Sequence, residues 1–163
     1  MTAFPFAEDH IVIRHGDPRE AVALHCLNEY YDELARTFEH GFEVEQSRNP
    51  PVESMMPPYG AFLVAWADQR PIGCVGLKGN GMGEAEVKRL WVSPSARGSG
   101  LGRRLMQKVE EVARSLSITV LRLDTNRALP EALQLYHRTG WTQIDRFNDD
   151  PYADFFFEKT LRT

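Results

Sequence analysis

The feature that most constrains the fold is the glycine-rich segment SPSARGSGLGRRL, residues 93–105, together with the apolar pattern that follows it. From about Gly100 to Leu116, apolar residues recur at spacings of three and four, which predicts an amphipathic helix. This stripe consists of Leu101, Leu105, Val109, Val112 and Leu116. A glycine-rich turn before a helix leaves main-chain N–H groups facing outwards, where a ligand can approach closely. The segment therefore predicts an anion site at a helix N-terminus.

Three arginines, Arg97, Arg103 and Arg104, surround the start of this helix. Cations are unfavourable there, because the aligned peptide dipoles already place about half a positive charge at that end. A bound phosphate would remove the conflict, since arginine donates charge-assisted hydrogen bonds to it. We therefore expect a phosphate-bearing ligand; the alternative is an exposed glycine turn with solvated arginines.

Two common phosphate-binding loops do not fit the segment. A Walker loop requires Lys and then Ser or Thr directly after its last glycine, and these are missing here. A dinucleotide-binding loop requires GxGxxG, but counting from Gly98 the third glycine, Gly102, comes one place early. Asp124 superficially resembles the ribose-binding acid of such folds. The preceding segment AEVKRLWV is, however, too polar for a central parallel strand, which disfavours this interpretation.

The rest of the chain predicts a mixed sheet. HIVIRHG is typical of a first strand, and residues 20–38 have the periodicity of two helices or one broken helix. AFLVAWA and PIGCVGLK flank a DQR turn, and AEVKRLWV follows, which favours an antiparallel meander. The strand ITVLRLD, a helix over 130–138 and the strands WTQID and DFFFEKTL complete the pattern. We expect an α/β fold with a mostly antiparallel sheet of six to seven strands and about four helices.

Composition sets further limits. A chain of 163 residues, 42% of them hydrophobic, fits one domain over residues 1–163 with a substantial core. The net charge of -4 argues against nucleic-acid binding. Cys26 and Cys74 have neither metal-site nor disulfide spacing, so we expect two small buried side chains and no metal. Charged residues among the first thirty and the lack of a long apolar run favour a cytoplasmic protein without membrane contact, a monomer or homodimer.

The segment VKRLWVSPSARGSGLGRRLM resembles the signature of the GNAT superfamily of N-acetyltransferases, and LQLYHRTGW is similar to its Leu-Tyr-x-x-x-Gly-Phe segment. The resemblance covers residues 60–160 well and residues 10–40 by topology alone. It implies a GNAT-like fold, acetyl-CoA as the acyl donor and an Arg-x-x-Gly-x-Gly loop that binds the pyrophosphate. It also implies that the main chain of residues 90–92 pairs with the pantetheine arm, with an N–H near Trp91 or Val92 directed at the reacting carbonyl. The implied cofactor-binding residues are Leu90, Trp91, Val92, Arg97, Gly98, Ser99, Gly100, Leu101, Gly102, Arg103 and Asn126.

Acetyl transfer to an amine needs a base, because an alkylammonium group with a pKa of about 10 must lose its proton before it attacks. Glu86 is our candidate base, and Glu84 is a weaker one; the alternative for Glu86 is a strand carboxylate paired with Lys88 or Arg89. The leaving thiolate needs a proton donor. Tyr136 matches the tyrosine of the family segment, and the alternative for it is a helix tyrosine that packs beneath the sheet.

The sequence says least about the residues that contact the acceptor amine. We expect the early helices and the loop RFNDDPYADFFF to contact the acceptor, with Asp149 and Asp150 attracting a cationic amine and Tyr152 forming a wall. The candidates in the early helices are Tyr30, Tyr31, Glu33, Phe38 and Glu39. Residues 39–59 form a long proline-rich connection that we expect to become ordered when the acceptor binds. The favoured acceptor is a small amine or amino-acid-like metabolite; the alternatives are a protein lysine or N-terminal amine, or a non-catalytic acyl-CoA sensor.

Overall fold

A computed structural model describes residues 10–43 and 51–162, and its strands form one seven-stranded sheet in the order β1-β2-β3-β4-β5-β7-β6. β4 and β5 are parallel, and every other neighbouring pair is antiparallel. The strands are β1 (Ile11–Gly16), β2 (Ala61–Ala67), β3 (Arg70–Gly79), β4 (Glu84–Val92), β5 (Val120–Thr125), β6 (Thr142–Ile144) and β7 (Phe155–Thr160). The predicted mixed sheet and its number of strands are confirmed.

In the described part of the chain, three α-helices pack on this sheet: α1 (Ala21–Thr37), α2 (Leu101–Ser115) and α3 (Pro130–Arg138). About four were expected, and the difference lies in residues 20–38, where α1 is a single continuous helix of 17 residues. Asn28 and Glu29 are exposed on its outer face, so they interrupt the apolar pattern without interrupting the helix. No helix of the described residues is long and apolar enough to cross a membrane.

The two faces of the sheet carry separate cores. The predicted stripe of α2 is buried on one face, where Leu101, Leu105 and Val109 are at most 1% exposed. On the other face, α1 packs Cys26 and Leu27 against the sheet, together with Cys74. Both cysteines are fully buried and free, as expected. Burying one such leucine stabilises the fold by about 1.5–3 kcal/mol. Because α2 buries several large apolar side chains, its packing contributes strongly to the stability of the sheet.

The connection between α1 and β2 is only partly an open loop. Residues 51–60 pack on the sheet: a short 3₁₀ turn, Val52–Met55, places Met55 in a fully buried position. A Cβ on Gly79 would lie 1.6 Å from the carbonyl oxygen of Tyr59, so glycine is required for this close approach. The expected ordering of residues 39–59 on acceptor binding also concerns residues 44–50, which lie outside the described residues.

The parallel ladder between β4 and β5 is short. It consists of three residue pairs and ends at Glu86 and Arg122. β4 nevertheless continues to Val92, and β5 continues to Thr125. The two strands therefore separate towards their carboxyl ends, and this separation positions the site described next.

Candidate active site

An open cleft lies where β4 and β5 separate. Tyr30 and Leu34 of α1, Leu90 of β4, Asp124 of β5 and Tyr136 of α3 are among the residues that line it. The cleft therefore collects side chains from four elements that are distant in the chain. The carboxyl ends of neighbouring parallel strands are a common place for ligands in α/β folds.

A β-bulge in β4 shapes one wall of the cleft. Cys74 pairs with Trp91 and Gly76 pairs with Lys88, so two residues of β4, Arg89 and Leu90, lie opposite one residue of β3. Arg89 adopts a φ of 59°, which is rare for a residue with a side chain. The bulge reverses the alternation of the strand. Residues before it, such as Val87, pack on the α2 side, whereas Trp91 packs on the α1 side.

The glycine-rich turn before α2 leaves several main-chain N–H groups without partners in the described part of the chain. Gly98 and Gly100 have φ values of 81° and 82°, and α2 begins directly afterwards at Leu101. The main-chain N–H groups of Gly98, Gly100, Gly102 and Arg103 receive no hydrogen bond partner from the described residues. A Cβ on Gly98 or Gly100 would meet no atom within 4 Å. The turn therefore presents a set of N–H donors to open space, which fits a pyrophosphate.

The three arginines near this turn have different partners. Arg97 forms an ion pair with Glu33 of α1. Arg104 donates a hydrogen bond of 3.1 Å from Nη2 to the carbonyl oxygen of Ile11, which ties α2 to β1. Arg103 is exposed in the first turn of α2. One of the three cations at the start of α2 thus has a structural role, because Arg104 links α2 to β1.

Other predicted cofactor residues have side chains that are buried or pack against the core. The side chain of Trp91 is 4% exposed, Leu101 is 1% exposed, and Leu90 and Val92 pack against the α2-side core. Trp91 and Val92 pair with β3, but among the described strands none pairs with their other edge. The Ser99 hydroxyl donates to the Ala96 carbonyl and accepts from the Leu101 N–H, so it stabilises the turn itself.

Asp124 and two tyrosines share the floor of the cleft. Burial raises the pKa of Asp124; the nearby carboxylates of Asp150 and Glu86 raise it further, and Lys88 and a 2.7 Å hydrogen bond from Asn148 oppose the rise. Burial and the charge of Asp124 raise the pKa of Tyr136.

Tyr30 has a similar environment. Burial is the main cause that raises its pKa, and the neighbouring Tyr136 and Asp124 add to it. The floor therefore combines a carboxyl group with two phenols that stay protonated at neutral pH, an arrangement that can accept a proton and donate one.

Glu86 lies at the point where β4 and β5 separate, but outside the lining of the cleft. Its carboxylate oxygens are 3.6 Å from the Nζ atoms of Lys78 and Lys88. The pairing with Lys88 that we considered as an alternative is therefore present. Glu84 is paired with Arg122 at 3.1 Å. The role of Glu86 as a base stays a prediction.

Asn126 lines the cleft and also joins two loops. Its Nδ2 donates to the carbonyl oxygen of Tyr152 at 2.8 Å, and its Oδ1 accepts from the N–H of Ala128 at 2.8 Å. One N–H of its amide remains for a ligand. The side chain thus holds the turn after β5 against the segment before β7.

Four packed rings, which we call the aromatic wall, line part of the cleft. Phe42 has ring-centroid distances of 5.7 Å to Tyr31, 5.9 Å to Phe38 and 4.7 Å to Tyr152. The Tyr152 hydroxyl accepts a hydrogen bond of 2.9 Å from the N–H of Glu43. The wall consists of Tyr31, Phe38, Phe42 and Tyr152, of which Tyr31, Phe38 and Tyr152 are predicted acceptor residues and Phe42 is not.

The predicted acidic residues divide between the cleft and the surface. Asp150 lines the cleft and is 5% exposed, and its Oδ1 accepts from the N–H of Tyr152 at 2.8 Å. Asp149 and Glu39 are exposed, outside the cleft lining. Among residues 10–43 and 51–162, no group of three or more His, Cys, Asp or Glu side chains is arranged to hold a metal ion.

Asp124 and Arg89 line the cleft, but neither is among the catalytic or cofactor-binding residues predicted from the sequence. The sequence pattern relates Asp124 only to a ribose-binding acid. A signal was available: Asp124 is near the carboxyl end of a strand that is parallel to its neighbour, where ligands tend to bind. The sequence contains no comparable signal for Arg89. The position of its side chain depends on a β-bulge, and no glycine occurs at the bulge in β4 to indicate it.

Comparisons with known proteins agree with this architecture. Residues 27–141 match the model of the Acetyltransferase (GNAT) family. An IAA acetyltransferase from Azospirillum brasilense is 30% identical over 149 residues, which cover 88% of this chain and 95% of that protein.

Solved structures share the fold. A GNAT-family acetyltransferase from Staphylococcus aureus has a TM-score of 0.77 at 20% identity, covering 93% of this chain and 99% of that one. PaiA N-acetyltransferase from Thermoplasma acidophilum, in complex with coenzyme A, has a TM-score of 0.69 at 22% identity, with coverage of 93% and 99%. The family match spans the glycine turn, α3 and most of the residues that line the cleft, and this chain is therefore an acetyl-CoA-dependent acetyltransferase of the GNAT family.

Proposed function

We propose that the protein transfers the acetyl group of acetyl-CoA to the primary amine of a small molecule or amino-acid-like metabolite, by direct attack in a ternary complex. The observation that carries this proposal is the continuity of the site. The N–H donors of the glycine turn lie before α2, and the unpaired edge of β4 leads from there towards the floor with Asp124 and Tyr136. Acetyl-CoA, when bound, supplies an acetyl group activated as a thioester.

The residues of the glycine turn would hold the pyrophosphate. The N–H groups of Gly98, Gly100 and Gly102 donate to it, and Arg97 and Arg103 add positive charge. The free main-chain edge of residues 90–92 pairs with the extended pantetheine arm of the cofactor, as a neighbouring strand would. An N–H near Trp91 or Val92 stabilises the carbonyl oxygen of the acetyl group, and Asn126 contributes its remaining amide N–H.

Asp124 is our preferred proton acceptor for the acceptor amine. It lines the cleft, whereas Glu86 lies beyond the lining with its carboxylate between two lysines. A raised pKa also makes a carboxylate a stronger base, closer to the working pH. Tyr136, whose phenol stays protonated, returns a proton to the departing thiolate. Glu86 is the alternative base.

The lining of the cleft supports a small acceptor over a protein amine. The packed rings of the aromatic wall line it and offer a surface suited to a compact apolar group. The Azospirillum relative is named an IAA acetyltransferase, so a small-molecule acceptor has a precedent among the relatives of this chain. We place the protein in the cytoplasm as a monomer or homodimer.

The test measures release of the free thiol of coenzyme A from acetyl-CoA with a panel of amines, amino acids, polyamines and lysine peptides. We expect release that depends on one class of small amine. Asp124→Asn lowers kcat by about 100-fold or more, which is the usual effect of removing a general base. Glu86→Gln has a smaller effect, and Asp145→Asn, an exposed carboxylate outside the cleft, serves as the control.

Two results would overturn parts of this proposal. Tight binding of acetyl-CoA without thiol release across the panel contradicts small-amine transfer. A larger loss in Glu86→Gln than in Asp124→Asn reverses the assignment of the base.

A further inference from the structure

We propose that Asn148, in the loop between β6 and β7, is a positioning residue for acetyl transfer: its side-chain amide holds the Asp124 carboxylate so that one oxygen is left for the acceptor amine. This inference rests on the proposed function, because it takes Asp124 as the proton acceptor. It follows from three features: the contacts of the Asn148 amide, the way its loop is held, and the groups that face Asp124.

The Asn148 amide makes two hydrogen bonds that fix its orientation. Its Nδ2 donates to Oδ2 of Asp124 at 2.7 Å, and its Oδ1 accepts from the N–H of Asp150 at 3.0 Å. A flipped amide would lose both bonds, because it would set an NH₂ group against an N–H and an oxygen against a carboxylate. Asn148 therefore acts on Asp124 as a hydrogen-bond donor.

The loop holds Asn148 through its own main chain. The bond from the Asp150 N–H spans two residues, the Asx-turn pattern that keeps an asparagine side chain close to its backbone. The Arg146 guanidinium donates to three carbonyl oxygens of the loop at 2.8 to 3.3 Å, those of Asn148, Asp150 and Ala153. The amide thus reaches Asp124 from a loop whose shape one arginine stabilises.

The contact distinguishes the two oxygens of Asp124, which lines the cleft. Oδ2 accepts from Asn148, whereas Oδ1 has no hydrogen-bond partner among residues 10–43 and 51–162. The terminal torsion of an aspartate is broad, so a carboxylate without such a bond rotates readily. A bond to one oxygen restricts this rotation. Holding a catalytic group in the reacting geometry removes part of the entropy cost of the transition state.

The charges around Asp124 give the hydrogen bond a second effect. Burial raises the pKa of Asp124, and the carboxylates of Asp150 and Glu86 add to the rise, whereas Lys88 and the hydrogen bond from Asn148 oppose it. Asn148 carries no charge, so it favours the ionised carboxylate without repelling a cationic amine. The titratable and charged groups that face Asp124 come from α1, β4, α3 and the loop: Tyr30, Glu86, Lys88, Arg89, Tyr136 and Asp150.

The experiment compares pH profiles of kcat/KM for the panel amine that releases thiol fastest, at saturating acetyl-CoA. Asn148→Ala removes the donor, so Asp124 is less often ionised at acid pH. The loss of kcat/KM should be about five- to tenfold larger at the acid end of the profile than on its alkaline plateau. The amine ionises identically with both proteins, so its own titration cancels in the ratio of variant to wild type.

Two further variants separate this contact from general damage to the loop. Asn148→Ser keeps a short hydroxyl donor and should restore part of the loss at acid pH. Asn28→Ala, the same change at an exposed residue of α1, should leave the profile unchanged. A merely structural role for Asn148 would lower kcat/KM by the same factor at every pH.

A titration separates the contact from turnover. The side-chain carboxyl carbon of Asp124 is followed by NMR in isotope-labelled protein with coenzyme A present, and Asp124→Asn identifies its signal. Asn148→Ala should raise the pKa of Asp124, because the ionised form loses a hydrogen bond, and Asn28→Ala should leave it unchanged. An unchanged dissociation constant for coenzyme A shows that Asn148→Ala is folded.

The failures of the two proposals are distinguishable. An unchanged pKa of Asp124 in Asn148→Ala overturns the role of Asn148 and leaves Asp124 standing as the base. A raised pKa with an equal loss of kcat/KM at every pH shows that Asp124 is not the base, which overturns that assignment and this inference with it. No acetylation of any amine by protein that binds coenzyme A overturns the proposed function.

Discussion

Arg97, in the turn before α2, forms an ion pair with Glu33 of α1, 64 residues away in the chain. The neighbours of Glu33 in α1, Tyr31 and Leu34, line the acceptor cleft. One ion pair therefore connects the turn proposed to bind pyrophosphate with the helix proposed to contact the acceptor. A change at Glu33 could therefore affect both proposed binding regions.

Glu33→Gln should strengthen binding of coenzyme A. The Glu33 carboxylate partly neutralises Arg97 and repels phosphate, so its removal should lower the dissociation constant about two- to fivefold at low salt, the scale of an exposed ion pair. Titration calorimetry at two ionic strengths measures this. Glu29→Gln, an exposed glutamate one turn earlier, is the control. Weaker binding in Glu33→Gln would mean that Glu33 mainly orients Arg97.

Gly100→Ala should weaken coenzyme A binding more than tenfold while the protein stays folded. The substitution strains a backbone with a φ of 82° by about 1–2 kcal/mol and places a Cβ in the space before the N–H donors. Gly41→Ala is a matched control, since Gly41 has a φ of 75° and equally open surroundings. Similar losses of stability in both variants, with weaker binding in Gly100→Ala alone, are the expected result. Equal binding in both would argue against the turn as the phosphate site.

Asp124→Asn should stabilise the fold at neutral pH. The pKa of Asp124 is raised in the folded state, chiefly by burial, with Glu86, Asp150 and Lys88 as its charged neighbours. When the pKa of a carboxyl group is raised by folding, ionisation of that group destabilises the folded state. The protein therefore loses stability as the pH rises from the pKa of the group in the unfolded chain, about 3.9, through its pKa in the folded protein. The gain from Asp124→Asn should therefore be absent at low pH and largest at neutral pH. Urea unfolding at several pH values tests this, and Asp145→Asn should show no such dependence.

Trp141→Phe should be nearly neutral for stability. The Nε1 of Trp141 is buried and has no hydrogen-bond partner among the described residues, which costs about 1–3 kcal/mol. Phenylalanine removes that cost but leaves a small cavity beside Tyr136, whose ring centroid is 6.0 Å away. Thermal unfolding should show a small change, against a loss of about 3–5 kcal/mol in Trp141→Ala. An equally large loss in both variants would contradict this balance.

What could be predicted from the sequence depended on local patterns. The glycine turn, the α2 stripe and the order of strands follow from spacing within short segments, and all appear in the structure. The sequence pattern predicts two helices or one broken helix where α1 is continuous, because the exposed residues Asn28 and Glu29 interrupt its apolar spacing.

The remaining misses depend on pairing between distant segments. The bulge at Arg89 is defined by its partner strand, β3, and the proximity of Asp124 to Tyr136 requires β5 and α3 to meet across the cleft. The ion pair between Glu33 and Arg97 could not be predicted from local spacing either, because the two residues are 64 positions apart.

The short ladder between β4 and β5 also has a mechanical consequence. Three residue pairs join these strands, as many as join the short edge strand β6 to β7, whereas six join β3 to β4 and six join β5 to β7. Few main-chain hydrogen bonds therefore cross the sheet along the line of the cleft. We expect a small rotation of strands β1 to β4 against strands β5 to β7 to change the width of the cleft without breaking a ladder on either side of it.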